Sequence, residues 1–158
     1  MRIGSGVDVH AFSKTPPVIL GGVELDHEIG LLGHSDADVL THAIMDAILG
    51  ALSLGDIGEH FPPQKEEYRD AYSINLLKRC QDMAHDEGYK ILNIDSTVMA
   101  ERPRIGPYTG EIKRTIAKAL NLEVSEVSVK ATTFEGLGFV GRNEGIMAQA
   151  VVLMNNIS

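Results

Sequence analysis

The sequence contains no tryptophan and a single cysteine, and only 5% of its 158 residues are aromatic. One cysteine cannot form an internal disulfide, so the chain is not a cross-linked secreted scaffold, and a reducing compartment suits it. Cys80 falls beside Leu76, Leu77 and Ala84 at helical spacing, which reads as a packed thiol rather than a nucleophile. No apolar run approaches the roughly 20 residues needed to cross a bilayer. The opening MRIGSGVDVH also lacks the apolar stretch of a secretion signal, so the expectation is a cytoplasmic protein with no membrane partner. Positive charge is scarce: 14 Lys and Arg against 22 Asp and Glu leave a formal net charge of -8. That argues against nucleic acid and anionic membranes, which need basic patches. It leaves room for a phosphorylated metabolite, because metal ions and backbone N–H groups can supply local positive potential. Neither a Walker loop nor a dinucleotide fingerprint is present.

What is there is the composition of an ordinary globular protein, 44% hydrophobic and 23% charged. The length fits a single domain over residues 1–158, with no repeat, low-complexity tract or linker. MRIGSGVDVHAF alternates Ile3, Ser5, Val7 and Val9 with Gly4, Gly6, Asp8 and His10, the period of a strand with one face toward a core; Asp8 and His10 share the other face. VILGGVEL reads as a strand broken by a bulge or a hairpin turn at Gly21-Gly22. From Asp36 to about Ala51 apolar residues recur at helical spacing, with Asp38, His42 and Asp46 on a polar row and Ser35 with Asp38 as a capping box. A second helix follows between Ser73 as N-cap and Gly88 as its terminating glycine. ILNIDSTVMAE, VSVKATT and GIMAQAVVLM read as strands, and PYTGEIKRTIAKALN as a third helix carrying Ile112, Ile116 and Leu120. The fold class expected is therefore α/β in the layered α+β sense: one domain, a mixed β-sheet, helices packed on one face.

Two groups of residues carry chemistry. Asp8 and His10 project side by side from a strand, and His42 comes from a helix that can pack across that strand's end; three carboxylate and imidazole ligands suit an open zinc site. An open site can polarise a phosphoryl oxygen as a Lewis acid. Asp38 and Asp46 stand one turn either side of His42, as partners of its imidazole or as helix charges. His34, Ser35 and Asp36 precede the helix, where free N–H groups attract anions. The other group is Thr132, Thr133 and Glu135, which lead from a strand into a loop holding Gly136, Gly138, Gly141 and Gly145. Hydroxyls, loop N–H groups and a carboxylate there resemble a diphosphate clamp with Mg²⁺. On these residues alone, a zinc phosphohydrolase and a non-catalytic isoprenoid-phosphate module stay open beside a phosphoryl transferase.

The blocks GVDVHAF, GGV, HSDADV with His42, LGDIGEHFP and VKATTFEGLGFVGRNEGI run in order from Gly4 to Ile146. Together they resemble the 2-C-methyl-D-erythritol 2,4-cyclodiphosphate synthase family. The resemblance implies a phosphorus–oxygen lyase of the non-mevalonate isoprenoid pathway. In that reaction the 2-phosphate of 4-diphosphocytidyl-2-C-methyl-D-erythritol 2-phosphate attacks its own β-phosphate and expels CMP. It further implies one Zn²⁺ on Asp8, His10 and His42, and Mg²⁺ or Mn²⁺ at Glu135 with the substrate diphosphate. His34 and Thr133 would stabilise the transition state. Asp56 and Gly58 would hold the erythritol end with Ser35 close by, while Ala100, Arg104, Ile105, Gly106 and Thr132 would take the cytidine. The family assembles as homotrimers with active sites between subunits, and Phe139 and Arg142 match positions linked to an isoprenoid diphosphate in a central channel. Ala37 stands where that family has glycine, which is harmless if the position is helical. Arg104 replaces its usual lysine, keeping the charge but changing the donor geometry.

Overall fold

The computed structural model describes residues 1–157. Its framework is a mixed five-stranded sheet in the order β4-β1-β7-β5-β6. The long strands are β1 (Arg2–Ser13), β5 (Tyr89–Met99) and β7 (Gly145–Asn156); β4 (Gly30–Leu31) and β6 (Val127–Thr132) form the edges. β7 runs antiparallel to both β1 and β5, and only the β5–β6 pair is parallel. The parallel pair is connected through α4 (Thr109–Ala119), since parallel strands cannot be joined by a tight turn. β2 (Val18–Leu20) and β3 (Val23–Leu25) make a separate hairpin, so the Gly21-Gly22 break is a turn and not a bulge. Both turn glycines have positive φ, 56° and 74°, as a two-residue hairpin loop demands.

One face of the sheet is covered and one is open. The covered face carries Gly4, Gly6, Ala148, Ala150, Val152, Ile94, Ser96 and Val98, all buried under α1 (Val39–Leu52) and its neighbours α3 (Ser73–Asp86) and α4. Small residues dominate where α1 crosses β1. A Cβ placed on Gly4 would stand 2.0 Å from the Ala47 carbonyl oxygen, and one on Gly6 would stand 2.1 Å from that of Ala43. Glycine is therefore what lets helix backbone touch strand backbone, bringing the polar edge of α1 down to Asp8 and His10. This reverses the face assignment expected from hydrophobic alternation: Ile3, Val7 and Val9 point to the open face, 69%, 48% and 46% exposed. Lys130 and Asp95 pair on that face at 2.6 Å. Helices on a single face of a mixed sheet are as expected.

Helix α1 starts later than its apolar pattern suggests. Asp38 is the N-cap, accepting from the Thr41 N–H, and Ser35 does not form the expected capping box. Ala37 lies outside the helix with φ of 54°, in the left-handed region where alanine is disfavoured, so its substitution for glycine is not the harmless helical exchange. Ser73 is the first residue of α3 rather than its cap, while Gly88 ends that helix with φ of 78° as expected. Short helices α2 (Ile57–His60) and α5 (Gly138–Gly141) lie in segments that read as irregular. Cys80 is fully buried and burial pushes its thiol up to about 12, in keeping with a packed side chain. Among the described residues no helix is long and apolar enough to cross a membrane.

Candidate active site

β1 delivers Asp8 and His10 on its covered side, and the first turn of α1 delivers His42 directly above them. His10 Nε2 lies 2.9 Å and His42 Nδ1 3.0 Å from Asp8 Oδ2, and the two ring nitrogens are 3.2 Å apart. Three ligands about 2.0–2.1 Å from a tetrahedral ion stand about 3.3 Å from one another, so this cluster fits zinc closely. The ring orientations agree. His10 Nδ1 sits 2.6 Å from the Leu32 carbonyl, to which it can only donate, leaving Nε2 as the inward-facing atom. Burial alone would raise the Asp8 carboxyl, but hydrogen bonds and charge from His10 and His42 hold it down at about 2. His10 moves up because its bonds to Asp8 and to the Leu32 carbonyl outweigh the effect of burial. Without a metal the cluster is an ion pair with a proton where a cation fits.

The residues flanking His42 take other tasks. Asp38 is fully buried, and its carboxylate accepts from the N–H groups of Gly21, Gly22 and Thr41 and from the Thr41 hydroxyl. It ties the hairpin to α1 and does not reach the imidazole. Asp46 accepts from the Ile57 N–H, anchoring α2. Asp38 caps the start of α1 by accepting from the Thr41 N–H, so the 34–36 segment lies ahead of the cap and not at the first helical turn. His34 is instead an exposed side chain on the wall of the cavity that His10 and His42 open into. Ser35 and Gly58 line the same cavity, with Ile57, Phe61 and Leu76 as its apolar wall. Asp56, just outside, caps α2 through the Glu59 N–H.

A second cavity lies at the ends of β5 and β6, lined by Ala100, Arg104, Ile105, Gly106, Thr132 and Thr133. It shares no lining residue with the metal cavity. Across the sheet Val9 pairs with Met147 and Met147 with Met99, so Ala100 and Thr132 sit level with the metal cluster but two and three strands away. Glu135 follows in an exposed turn with φ of 54°, and that turn is held by Glu101, which accepts from the Phe134 N–H at 2.9 Å. Phe139 lies on α5 and Arg142 ends it, paired through two nitrogens with Glu144 at 2.9 and 3.1 Å. The sequence pattern gave no site role to Glu101 or the Leu32 carbonyl, and read Ser73 only as a helix cap, although its hydroxyl lies 3.0 Å from His42 Nε2. No spacing rule reaches them, because each acts through a contact between distant segments.

Residues 1–155 match the YgbB family. The chain belongs to that family. A YgbB relative from Natranaerobius thermophilus, named 2-C-methyl-D-erythritol 2,4-cyclodiphosphate synthase, is 54% identical over 157 residues, covering 99% of both chains. One of the same name from Clostridioides difficile is 53% identical over 154 residues, covering 98% of this chain and 96% of its own. Among solved structures, the bifunctional IspDF of Campylobacter jejuni superposes with a TM-score of 0.94 at 41% identity, over 98% of this chain but only 42% of that longer protein. A Plasmodium falciparum relative solved as a CDP complex gives a TM-score of 0.86 at 34% identity, covering 99% and 97% of the two chains.

Proposed function

We propose that this chain converts 4-diphosphocytidyl-2-C-methyl-D-erythritol 2-phosphate to 2-C-methyl-D-erythritol 2,4-cyclodiphosphate and CMP, as a cytoplasmic enzyme of the non-mevalonate isoprenoid pathway. The observation that carries this is the convergence of Asp8 Oδ2, His10 Nε2 and His42 Nδ1 in a chain that matches the YgbB family over residues 1–155 and whose relatives bear that name. An oxygen of the 2-phosphate forms a bond to the β-phosphorus while the bond from that phosphorus to the oxygen bridging it to the α-phosphate breaks. CMP leaves with that bridging oxygen, and no water enters. Such an intramolecular transfer requires positioning and charge neutralisation more than covalent help.

The residues divide accordingly. Asp8, His10 and His42 hold Zn²⁺, which when bound supplies a Lewis acid for a phosphate oxygen. Glu135 holds Mg²⁺ or Mn²⁺ with the diphosphate, His34 and Thr133 donate to the reacting phosphate, and Ser35, Asp56 and Gly58 line the erythritol side. Ala100, Arg104, Ile105, Gly106 and Thr132 enclose the cytidine. That the two cavities of one chain share no residue supports a complete site built between subunits, in the homotrimer that the family resemblance implies, joined through the open sheet face. Phe139 and Arg142 face a central channel that admits an isoprenoid diphosphate, and any such anion must compete with Glu144 for Arg142. Phosphorus NMR of the protein with the cytidyl substrate and Mg²⁺, with and without a zinc chelator, tests the reading. CMP and a cyclic diphosphate that vanish on chelation are expected; linear phosphate products would mean hydrolysis, and unchanged substrate would mean a binding module.

A further inference from the structure

Behind the metal cluster, on the side of His42 away from Asp8, a second chain of polar atoms runs inward. His42 Nε2 lies 3.0 Å from Ser73 Oγ, and Ser73 Oγ in turn donates a short hydrogen bond to Asp36 Oδ1. Ser73 is fully buried at the start of α3, so no bulk water replaces its hydroxyl. Asp36 is held from several directions: its Oδ2 accepts from the Ser73 N–H at 2.9 Å, its Oδ1 from the Asp38 N–H at 3.3 Å, and its own N–H donates to the Ala71 carbonyl. We propose that Asp36 and Ser73 form a positioning relay that fixes the His42 imidazole with its Nδ1 lone pair aimed at the metal. The inference rests on the metal reading of the Asp8–His10–His42 cluster and adds to it what sets the ligand's tautomer.

The argument is one of proton bookkeeping. An ionised carboxylate only accepts, so the single hydroxyl proton of Ser73 is committed to Asp36. The lone pairs of Ser73 then face His42 Nε2, which must carry a proton to make a favourable contact. A neutral imidazole has one N–H, so Nδ1 then carries the lone pair; it is the atom 3.0 Å from Asp8 Oδ2, to which it donates only while the metal-free cluster holds a proton in the cation's place. On the other ring the Leu32 carbonyl does the same for His10, leaving Nε2 bare. The two histidines are thus set in opposite tautomers by one backbone carbonyl and one buried serine–carboxylate pair. Ser35 Oγ also approaches His42 Nε2, at 3.2 Å, but it accepts from the Ala37 N–H and has no carboxylate behind it, so it leaves the direction of the proton undetermined. A histidine ligand whose remote N–H is anchored in this way binds metal more tightly, and loss of such an anchor costs about 10–100-fold in affinity.

The test measures zinc transfer from the loaded protein to a chromophoric chelator at equilibrium, for wild type, Ser73→Ala, Asp36→Ala, the double variant and Ser35→Ala. We expect zinc affinity to fall at least about tenfold in Ser73→Ala and in Asp36→Ala. The double variant should be no weaker than the worse single one, since the two act in series, and Ser35→Ala should change affinity by less than about threefold. Nitrogen-15 NMR of the metal-free forms at alkaline pH supplies a readout that loosened packing would not move: His42 should be protonated at Nε2 in wild type and shift toward the Nδ1–H tautomer in both single variants. Wild-type zinc binding with equal affinity in Ser73→Ala, additive losses in the double variant, or an Nδ1–H tautomer in wild type would overturn the relay alone. A wild type that takes up no zinc would overturn the metal reading and the relay with it. Should a variant not fold, the wild-type tautomer still decides.

Discussion

Asp8 and His10 respond to pH in opposite senses, and the cation they are shaped for responds in a third. The Asp8 carboxyl is lowered from 3.8 to about 2, so its contribution to folding is present above 3.8 and lost as pH falls toward 2. His10 is raised above 6.5, so its contribution is present below 6.5 and lost as pH climbs through the raised value. Metal-free protein therefore gains most from the pair between about pH 4 and about pH 6.5. Zinc needs the lone pair that the proton occupies, so its binding releases that proton and strengthens as pH rises. The difference in melting temperature between zinc-loaded and chelator-treated protein should widen from pH 5.5 to pH 8; an equal difference at both ends would show that no His10 proton is displaced. A neighbouring residue tests the backbone. Ala37 has φ of 54° and is almost fully buried. Ala37→Gly relieves about 1–2 kcal/mol of left-handed strain but loses about 0.8 kcal/mol of methyl burial and about 0.4–1 kcal/mol in unfolded-chain entropy, so stability should move by less than about 1 kcal/mol. Ala37→Val, branched and overpacked at the same φ, should lose about 2–4 kcal/mol in denaturant unfolding.

At the scale of elements, the contact of β1 with α1 decides the site. A methyl at Gly6 would meet the Ala43 carbonyl oxygen at 2.1 Å and the Ala47 nitrogen at 2.8 Å, both backbone atoms that cannot swing aside. Gly6→Ala should push α1 off the strand, costing about 3 kcal/mol or more. It should also weaken zinc binding, because His42 rides on the helix and Asp8 and His10 on the strand. Unchanged chelator competition in a folded Gly6→Ala protein would show that the cluster adjusts independently of this packing. The same contact explains what could be read from the sequence. That residues 2–13 form a strand was legible from their alternation, and that His42 sits on a helix was legible from apolar spacing. Which face of β1 is inside was not: alternation favours burying Ile3, Val7 and Val9, whereas the helix backbone comes so near that only Gly4 and Gly6 fit beneath it. The start of α1 was misread for a related reason, since Asp38 looked like the fourth member of a capping box and is itself the cap, drawn there by the hairpin N–H groups of Gly21 and Gly22.

For the whole molecule, the face left outward by that inversion is the largest unmet demand. Ile3 pairs across to Leu153 and Val9 to Met147, with Val7 beside the amide of Gln149 between them, so a largely apolar strip lies along this face of an otherwise finished domain. An apolar patch exposed on a sheet face is the kind of surface that another copy or a partner covers. A homotrimer, as proposed above, would cover it and would bring the candidate metal cavity of one chain to the candidate nucleotide cavity of the next. Val7→Asp places a charge in the centre of that band, 48% exposed in the single chain, where it does not disturb the covered face. Light scattering should show a trimer for wild type and a monomer for the variant. Zinc affinity in the variant should stay within about threefold of wild type, because all three ligands come from one chain, while CMP release falls to background. A monomer that still turned over at the wild-type rate would place the nucleotide and the metal within a single chain, and the separation of the two cavities across the sheet would then need a movement of the 133–142 segment to bridge it.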